Sequence, residues 1–268
     1  MLLAIDVGNT ITEFGVFEDE KLVLRWRVAT QLRTADELAL LVAHYCTAKG
    51  LKLARDADCV MCSVVPALTP GFVEMARQFF DKEALVVDSS VETGLKIKYR
   101  DPFSIGSDRI ATAVGAVRLF GKPVIIVDMG TASTFDVVSA SGEYLGGAIA
   151  PGVGTGAEEL FRRAAKLARV ELREPPSVIG KSTEESLQAG IVLGAAGLVD
   201  GILALMFKEL GTRPKVVATG GYSHLIVPHC SNVDELVDGL VLTGLLVIHR
   251  MNSRPRRARR RGAGEAAV

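Results

Sequence analysis

Two stretches of this chain read alike. Leu2-Leu3-Ala4-Ile5-Asp6-Val7-Gly8-Asn9-Thr10 runs into Thr12-Glu13-Phe14-Gly15-Val16-Phe17. Asp128 follows Asp6 by 122 residues, in Val124-Ile125-Ile126-Val127-Asp128-Met129-Gly130-Thr131, which runs into Thr134-Phe135-Asp136-Val137-Val138. Each is an apolar run that closes on Asp, turns at Gly beside Thr or Asn, and continues as a second β-rich run. The pattern predicts a hairpin whose tip carries a carboxylate and free backbone N–H groups. Gly8 and Gly130 let the backbone turn tightly and approach a ligand. Successive N–H groups and the Thr hydroxyls hold phosphate oxygens, and each Asp can hold a metal ion directly or through water. Two such tips facing across a cleft make a nucleoside triphosphate site; one copy alone is as readily an ordinary strand ending in a turn. The duplication also predicts two similar halves, each a sheet with helices.

A chain of 268 residues with 49% hydrophobic and 23% charged residues can bury a substantial core. Its apolar runs are read as broken short of ~18 residues, so no membrane span is expected. Met1-Leu2-Leu3-Ala4 lacks a basic start and is not read as a signal peptide. Four cysteines fit a reducing compartment, the cytoplasm, better than a disulfide frame. Cys59-Val60-Met61-Cys62 falls in a strand-like run, where positions three apart point to opposite faces; buried thiols are expected, not a metal pair. The four histidines show no ligand spacing, and His44 reads as a partly exposed helix residue. Net charge is zero, yet Arg254–Arg261 carries six Arg, leaving a body with 25 basic and 30 acidic residues. Residues 253–268 read as a disordered Arg-rich tail, with at most non-specific affinity for nucleic acid.

Strands are expected at 2–7, 12–18, 21–28, 58–65 and 84–88, with helices near 34–49, 69–82 and 105–120. Thr34-Ala35-Asp36-Glu37 is a capping box for the first helix. Residues 89–104 read as a loop. The second half repeats the plan: strands at 123–128, 132–138, 143–149 and 215–219, and helices at 155–168, 183–210 and onward to about 251. The fold class is α/β, two duplicated halves of 1–110 and 111–252. Gly190, Gly194, Gly197 and Gly201 form a smooth stripe on the long helix. Each costs ~1 kcal/mol against Ala, so close packing by another helix, within the chain or in a second subunit, is implied.

Ser104-Ile105-Gly106-Ser107-Asp108-Arg109-Ile110 places free N–H groups, a carboxylate and a guanidinium at a helix start. A substrate carboxylate can sit on those donors and Arg109, and Asp108 can accept a hydroxyl proton as general base. The plainer alternative makes Ser107 or Asp108 an N-cap and Arg109 a surface charge. Gly180-Lys181-Ser182-Thr183 lacks the upstream glycine and the leading strand of a P-loop; Thr183 with Glu184 and Glu185 reads as a helix cap whose hydroxyl can face a ligand.

Asp6–Thr10, Ser63-Val64-Val65-Pro66, Gly106–Arg109, Asp128–Ala132 with Thr134–Asp136, Gly146–Gly152, Gly180–Thr183 and Thr219-Gly220-Gly221 occur in this order. Together they resemble type III pantothenate kinase, within the actin-like (ribonuclease H-like) ATPase and sugar kinase superfamily, over about residues 2–252. The resemblance implies phosphorylation of pantothenate by ATP with Mg2+, a first step towards coenzyme A. It implies ATP contacts from Asp6, Val7, Gly8, Asn9, Thr10, Ile11, Thr12, Glu13 and Thr131. Asp108 matches the catalytic base, and Asp128 the ligand of a monovalent cation, K+ or NH4+. Asp6 organises the divalent ion through phosphates or water. Tyr99, Gly106, Ser107, Asp108, Arg109 and Thr183 match pantothenate contacts, in a homodimer with its pocket near the subunit interface.

Ile11 stands where the family commonly has a polar residue, and Ala168 where Pro is common. Three alternatives stay open. An actin-like kinase for another small hydroxy acid or sugar differs only in the segment 95–110. A nucleotide sensor or transcription accessory factor needs the tips without Asp108. A nucleic-acid binder would depend on the Arg tail and on salt.

Overall fold

The computed structural model describes residues 1–88, 90–164 and 167–253. Apart from Ser253, the Arg-rich tail expected at 253–268 lies outside the described residues. In the first half, β1 (Leu2–Val7), β2 (Ile11–Glu18) and β3 (Lys21–Ala29) form an antiparallel meander. After α1 (Ala35–Ala48), the strand β4 (Asp58–Ser63) pairs parallel to β1; after α2 (Thr69–Phe80), β5 (Leu85–Val86) pairs parallel to β4. The sheet order is β3-β2-β1-β4-β5. The chain then forms β6 (Lys96–Ile97), a 3-10 turn at Pro102–Ser104, and α3 (Ser107–Phe120).

The second half repeats this. β7 (Val124–Met129), β8 (Ala132–Val138) and β9 (Glu143–Pro151) form the meander. Two helices follow, α4 (Val153–Arg163) and α5 (Thr183–Leu210), then β10 (Lys215–Thr219), α6 (Ser223–Ile226), β11 (Glu235–Leu236) and α7 (Leu240–Ser253). The order β11-β10-β7-β8-β9-β6 matches the first sheet, with β6 added at one edge. The duplication extends to register. Asp6 lies opposite Glu13 and Asp128 opposite Thr134; a bulge follows three residues later in each, at Val16/Phe17 and Val137/Val138.

Strand alternation sorts the core. Leu3, Ile5 and Val7 pack towards α1 and α2, whereas Leu2 and Ala4 pack towards α3 and α7. Helix α3 serves both sheets: Ala111 and Val114 join the first core, Ile110, Ala113 and Ala116 the second. It crosses α7 at near backbone contact, since a Cβ on Gly115 would lie 2.3 Å from the Leu240 carbonyl oxygen. No side chain larger than hydrogen fits there. The two helices therefore form a middle layer that ties both sheets to one cleft.

Several sequence expectations shift. β5 is two residues long, α4 begins at Val153 and ends at Arg163, and the segment read as a loop contributes β6. Cys59 and Cys62 are buried on opposite faces of β4, as the strand period requires, and His44 is exposed. Helix α5 is capped by Ser182, which accepts from the Glu185 N–H, not by Thr183. The uninterrupted apolar run of α5 does stop short of ~18 residues, at Asp200, but the helix is more apolar on average than that reading implies. One 18-residue window of α5 has mean hydropathy 2.1, and only 22% of it is buried within the protomer. Asp200 is the one charged residue between Glu185 and Lys208. One side of α5 (Val192, Ala196, Val199, Leu203) fills the second core; Leu198, Leu205 and the glycine stripe remain exposed.

Candidate active site

The two tips face each other across a cleft of about 1360 Å³. In β1–β2 the turn Gly8-Asn9-Thr10 is closed by the Gly8 N–H donating to the Ile11 carbonyl at 3.1 Å. In β7–β8 the Gly130 N–H donates to the Ala132 carbonyl at 3.0 Å. The Thr10 and Thr131 hydroxyls meet at 2.9 Å. Asp6, Gly8, Asn9, Thr10, Ile11, Glu13, Asp108, Arg109, Asp128 and Thr131, all marked by the sequence, line this one cleft. Val7 and Thr12 do not: Val7 is core, and the Thr12 hydroxyl bonds to that of Thr30 at 2.9 Å. Gly106, Ser107, Tyr99 and Thr183 are also absent from the lining.

The helix start shows what each of these does. Gly106, not Ser107 or Asp108, is the N-cap of α3. A Cβ there would lie 2.4 Å from Asp108 Oδ1, so glycine leaves room for the carboxylate to fold back over the first turn. Asp108 Oδ1 accepts from the Arg109 N–H at 2.7 Å. The Ser107 hydroxyl is tied to the Ser63 N–H and carbonyl, both at 3.2 Å, which docks α3 on the Ser63-Val64-Val65-Pro66 segment.

Arg109 is not free. Its Nε and Nη2 donate to Asp136 Oδ1 at 3.0 and 2.6 Å, and the buried Tyr144 hydroxyl bonds the same oxygen. Burial alone would lower the Arg109 pKa, but the Asp136 carboxylate holds it above its ordinary value. Tyr99 packs edge-on against Tyr144, with ring centroids 6.4 Å apart. Asp136 and Tyr144 hold Arg109 in the cleft, a pairing that sequence reading does not reach. Asp136 sat inside a recognised motif, but its pairing with Arg109 is tertiary.

Three carboxylates converge from three elements. Burial, then the Asp108 charge, raises Asp6 to about 8 and Asp128 to about 7. Asp108 is raised as well, chiefly by burial. Such a group attracts cations. Among the described residues no three His, Cys, Asp or Glu side chains form a ready metal cage. Single carboxylates on separate tips suit Mg2+, which takes one or two and completes its shell with phosphate oxygens and water. Gly220, with φ +102°, passes so close to Asp128 that a Cβ would lie 2.5 Å from Oδ1. A side chain is excluded there both by space and by the left-handed backbone.

Paired sheets with a Gly-turn tip from each, an acidic floor and a helix-start carboxylate define a phosphotransferase of the actin-like, sugar kinase kind. Solved structures agree on the fold. A protein from Campylobacter jejuni described as a Baf family transcriptional activator aligns over 93% of this chain and 98% of its own, with TM-score 0.59 and 18% identity. A Sinorhizobium meliloti protein described as a 2-dehydro-3-deoxygalactonokinase aligns over 94% and 99%, with TM-score 0.59 and 14% identity. At the sequence level, the type III pantothenate kinase model matches residues 2–205. A type III pantothenate kinase from Anaeromyxobacter dehalogenans is 47% identical over 94% of this chain and 100% of its own. The chain belongs to the type III pantothenate kinase family.

Proposed function

We propose that the chain transfers the terminal phosphoryl group of ATP to the primary hydroxyl of pantothenate, forming 4'-phosphopantothenate at the first step of coenzyme A biosynthesis. The observation that carries this is the Asp108 carboxylate on the floor of a cleft closed by the two Gly-turn tips. In this reading residues 1–110 and 111–252 are the halves that embrace the nucleotide, with α3 and α7 between them.

Phosphoryl transfer requires positioning and charge neutralisation rather than covalent chemistry by the protein. The Gly8–Thr10 and Gly130–Thr131 backbones and hydroxyls hold the phosphate chain. Asp6 faces the place where Mg2+ belongs, and a bound Mg2+ neutralises charge on the phosphate oxygens. Asp128, beside the Gly220 backbone, is assigned the monovalent cation, K+ or NH4+. Arg109, fixed by Asp136 and Tyr144, aims its remaining donors at the acceptor. Asp108 orients the hydroxyl and takes its proton as the new P–O bond forms and ADP departs with the electron pair of the old one.

The chain acts as a homodimer in this reading, and α5 supports it. Its exposed face is apolar, and a Cβ at Gly190, Gly194, Gly197 or Gly201 would touch nothing within 4 Å. A second copy packed there accounts for a stripe that nothing among the described residues uses. It also gives a role to Thr183, which is exposed at the start of α5 and reaches substrate across the interface. The cytoplasm suits its ATP chemistry and its four free cysteines.

A coupled assay of ADP release tests the reading. ADP should form with pantothenate, Mg2+ and K+ present, and not when pantothenate is omitted. Replacing K+ by Na+ or a bulky organic cation should slow turnover. Absence of pantothenate-dependent ADP release would refute the assignment.

A further inference from the structure

We propose that Arg27 is a further catalytic residue: its guanidinium, aimed by Glu13, contacts the terminal phosphates of the nucleotide and neutralises charge during transfer. The proposal rests on the reading of the cleft as an ATP site.

The placement comes from register. Asp6 on β1 lies opposite Glu13 on β2, and Glu13 lies opposite Arg27 on β3. Residues directly opposite share a face, so the three side chains form one row leading from the first tip along the cleft wall. Arg27 lines the cleft. Its Nε donates to Glu13 Oε1 at 3.0 Å, and Arg25 bonds the same oxygen. Glu13 is buried, and its Oε1 is occupied by the two arginines, so the carboxylate serves as their anchor. The two Nη groups of Arg27 donate to no acceptor among the described residues, and its side chain is 39% exposed.

The second hairpin does without this charge pair. The second half repeats the same strands, turn and bulge, and there the positions of Glu13 and Arg27 are held by Thr134 and Ile149. The row is therefore particular to the first tip.

Charge supplies the reason. Acidic side chains in the cleft lining outnumber basic ones seven to three. A triphosphate carries about four negative charges of its own, so cations must be provided. Of the three arginines, Arg109 is paired with Asp136 and Arg162 with Glu159. Arg27 is paired through Nε alone, so both of its Nη groups are left open among the described residues. A planar guanidinium with two free Nη groups matches two phosphate oxygens at once. In the transfer step Arg27 exchanges no proton; it holds charge on the phosphoryl group while the hydroxyl proton goes to Asp108.

Binding of Mg2+ with ADPNP and of adenosine should be compared in the intact protein, Arg27→Gln and Arg27→Lys, with thermal melting of each. Arg27→Gln should weaken ADPNP binding at least tenfold, leave adenosine binding within twofold, and lower kcat/KM for ATP by about 10²-fold. Arg27→Lys should recover part of the loss, and added guanidinium should partly restore turnover of the Gln variant. Unchanged ADPNP binding would overturn the proposal. So would an equal loss for adenosine, which would make Arg27 a prop of the sheet, or an effect confined to the KM for pantothenate. The binding comparison needs no acceptor. A protein that binds ADPNP through Arg27 yet ignores pantothenate would refute the acceptor assignment and leave this one standing.

Discussion

The hydroxyls of Thr10 and Thr131, 121 residues apart in sequence, meet at 2.9 Å. This contact joins the tips of the two duplicated hairpins directly. Both residues are exposed, so water competes for the bond and it stabilises the fold by no more than about 1 kcal/mol. In the proposed ATP site its value lies in what replaces it: two hydroxyls already aimed at one point would turn to phosphate oxygens entering between them.

Thr131→Val keeps the shape of the tip and removes that hydroxyl. A hydrogen bond to a charged group is worth about 1.5–3 kcal/mol, so the KM for ATP should rise by about tenfold or more. The KM for pantothenate and the melting temperature should hardly change. Steady-state kinetics with each substrate varied in turn checks this; a rise confined to pantothenate would place the tip elsewhere in the reaction.

Asp108→Asn separates a base from a structural cap. The structure already gives the cap position to Gly106, and Asn retains an oxygen for the Arg109 N–H. The fold should persist while kcat falls by about 10²–10⁴-fold, the usual contribution of a positioned base. Nucleotide binding should stay near normal. A variant with full turnover would remove Asp108 from the chemistry.

What sequence reading could reach was local. Asp6 and Asp128 were legible because apolar run, Asp, turn glycine and Thr all fall within a few residues. Asp136 was visible but without a role, since its partners Arg109 and Tyr144 come from another helix and another strand. Arg27 carried no motif at all; it enters the cleft only because β3 pairs with β2 at Glu13. The glycine stripe of α5 was plain in sequence, but whether it faced a helix or open space depended on tertiary packing. The average apolarity of that helix was underestimated because its run was counted as broken at glycines and at Asp200, although a helix continues through glycine at ~1 kcal/mol each.

The buried carboxylates predict an inverted pH response. A carboxyl group whose native pKa exceeds its unfolded value binds its proton more tightly when folded. Between the unfolded value near 4 and the native values of about 8 for Asp6 and about 7 for Asp128, the folded state holds more protons. Stability therefore falls as pH rises through that window. The ligand-free protein should melt at a lower temperature at pH 8.5 than at pH 6. Asp6→Asn should flatten the dependence, and saturating Mg2+, K+ and nucleotide should offset the loss at high pH. A melting temperature that rises steadily to pH 8.5 in the ligand-free protein would mean that these groups titrate normally.

Gly197 tests the proposed dimer with little risk to the protomer. A Cβ there meets nothing within 4 Å, and replacing glycine inside a helix gains up to ~1 kcal/mol of helix propensity. Gly197→Leu should therefore fold with unchanged or slightly higher thermal stability as a monomer. If a second copy packs along the stripe, the added side chain prevents close approach of the helices. Light scattering on the eluting protein should then show half the native mass, and the KM for pantothenate should rise because Thr183 no longer reaches the facing cleft. Binding of Mg2+ with ADPNP should be largely retained, since both tips belong to one chain. A variant that remains dimeric would remove α5 from the interface. One that is monomeric yet keeps its native KM for pantothenate would return Thr183 to a purely local place beside the Ser182 cap.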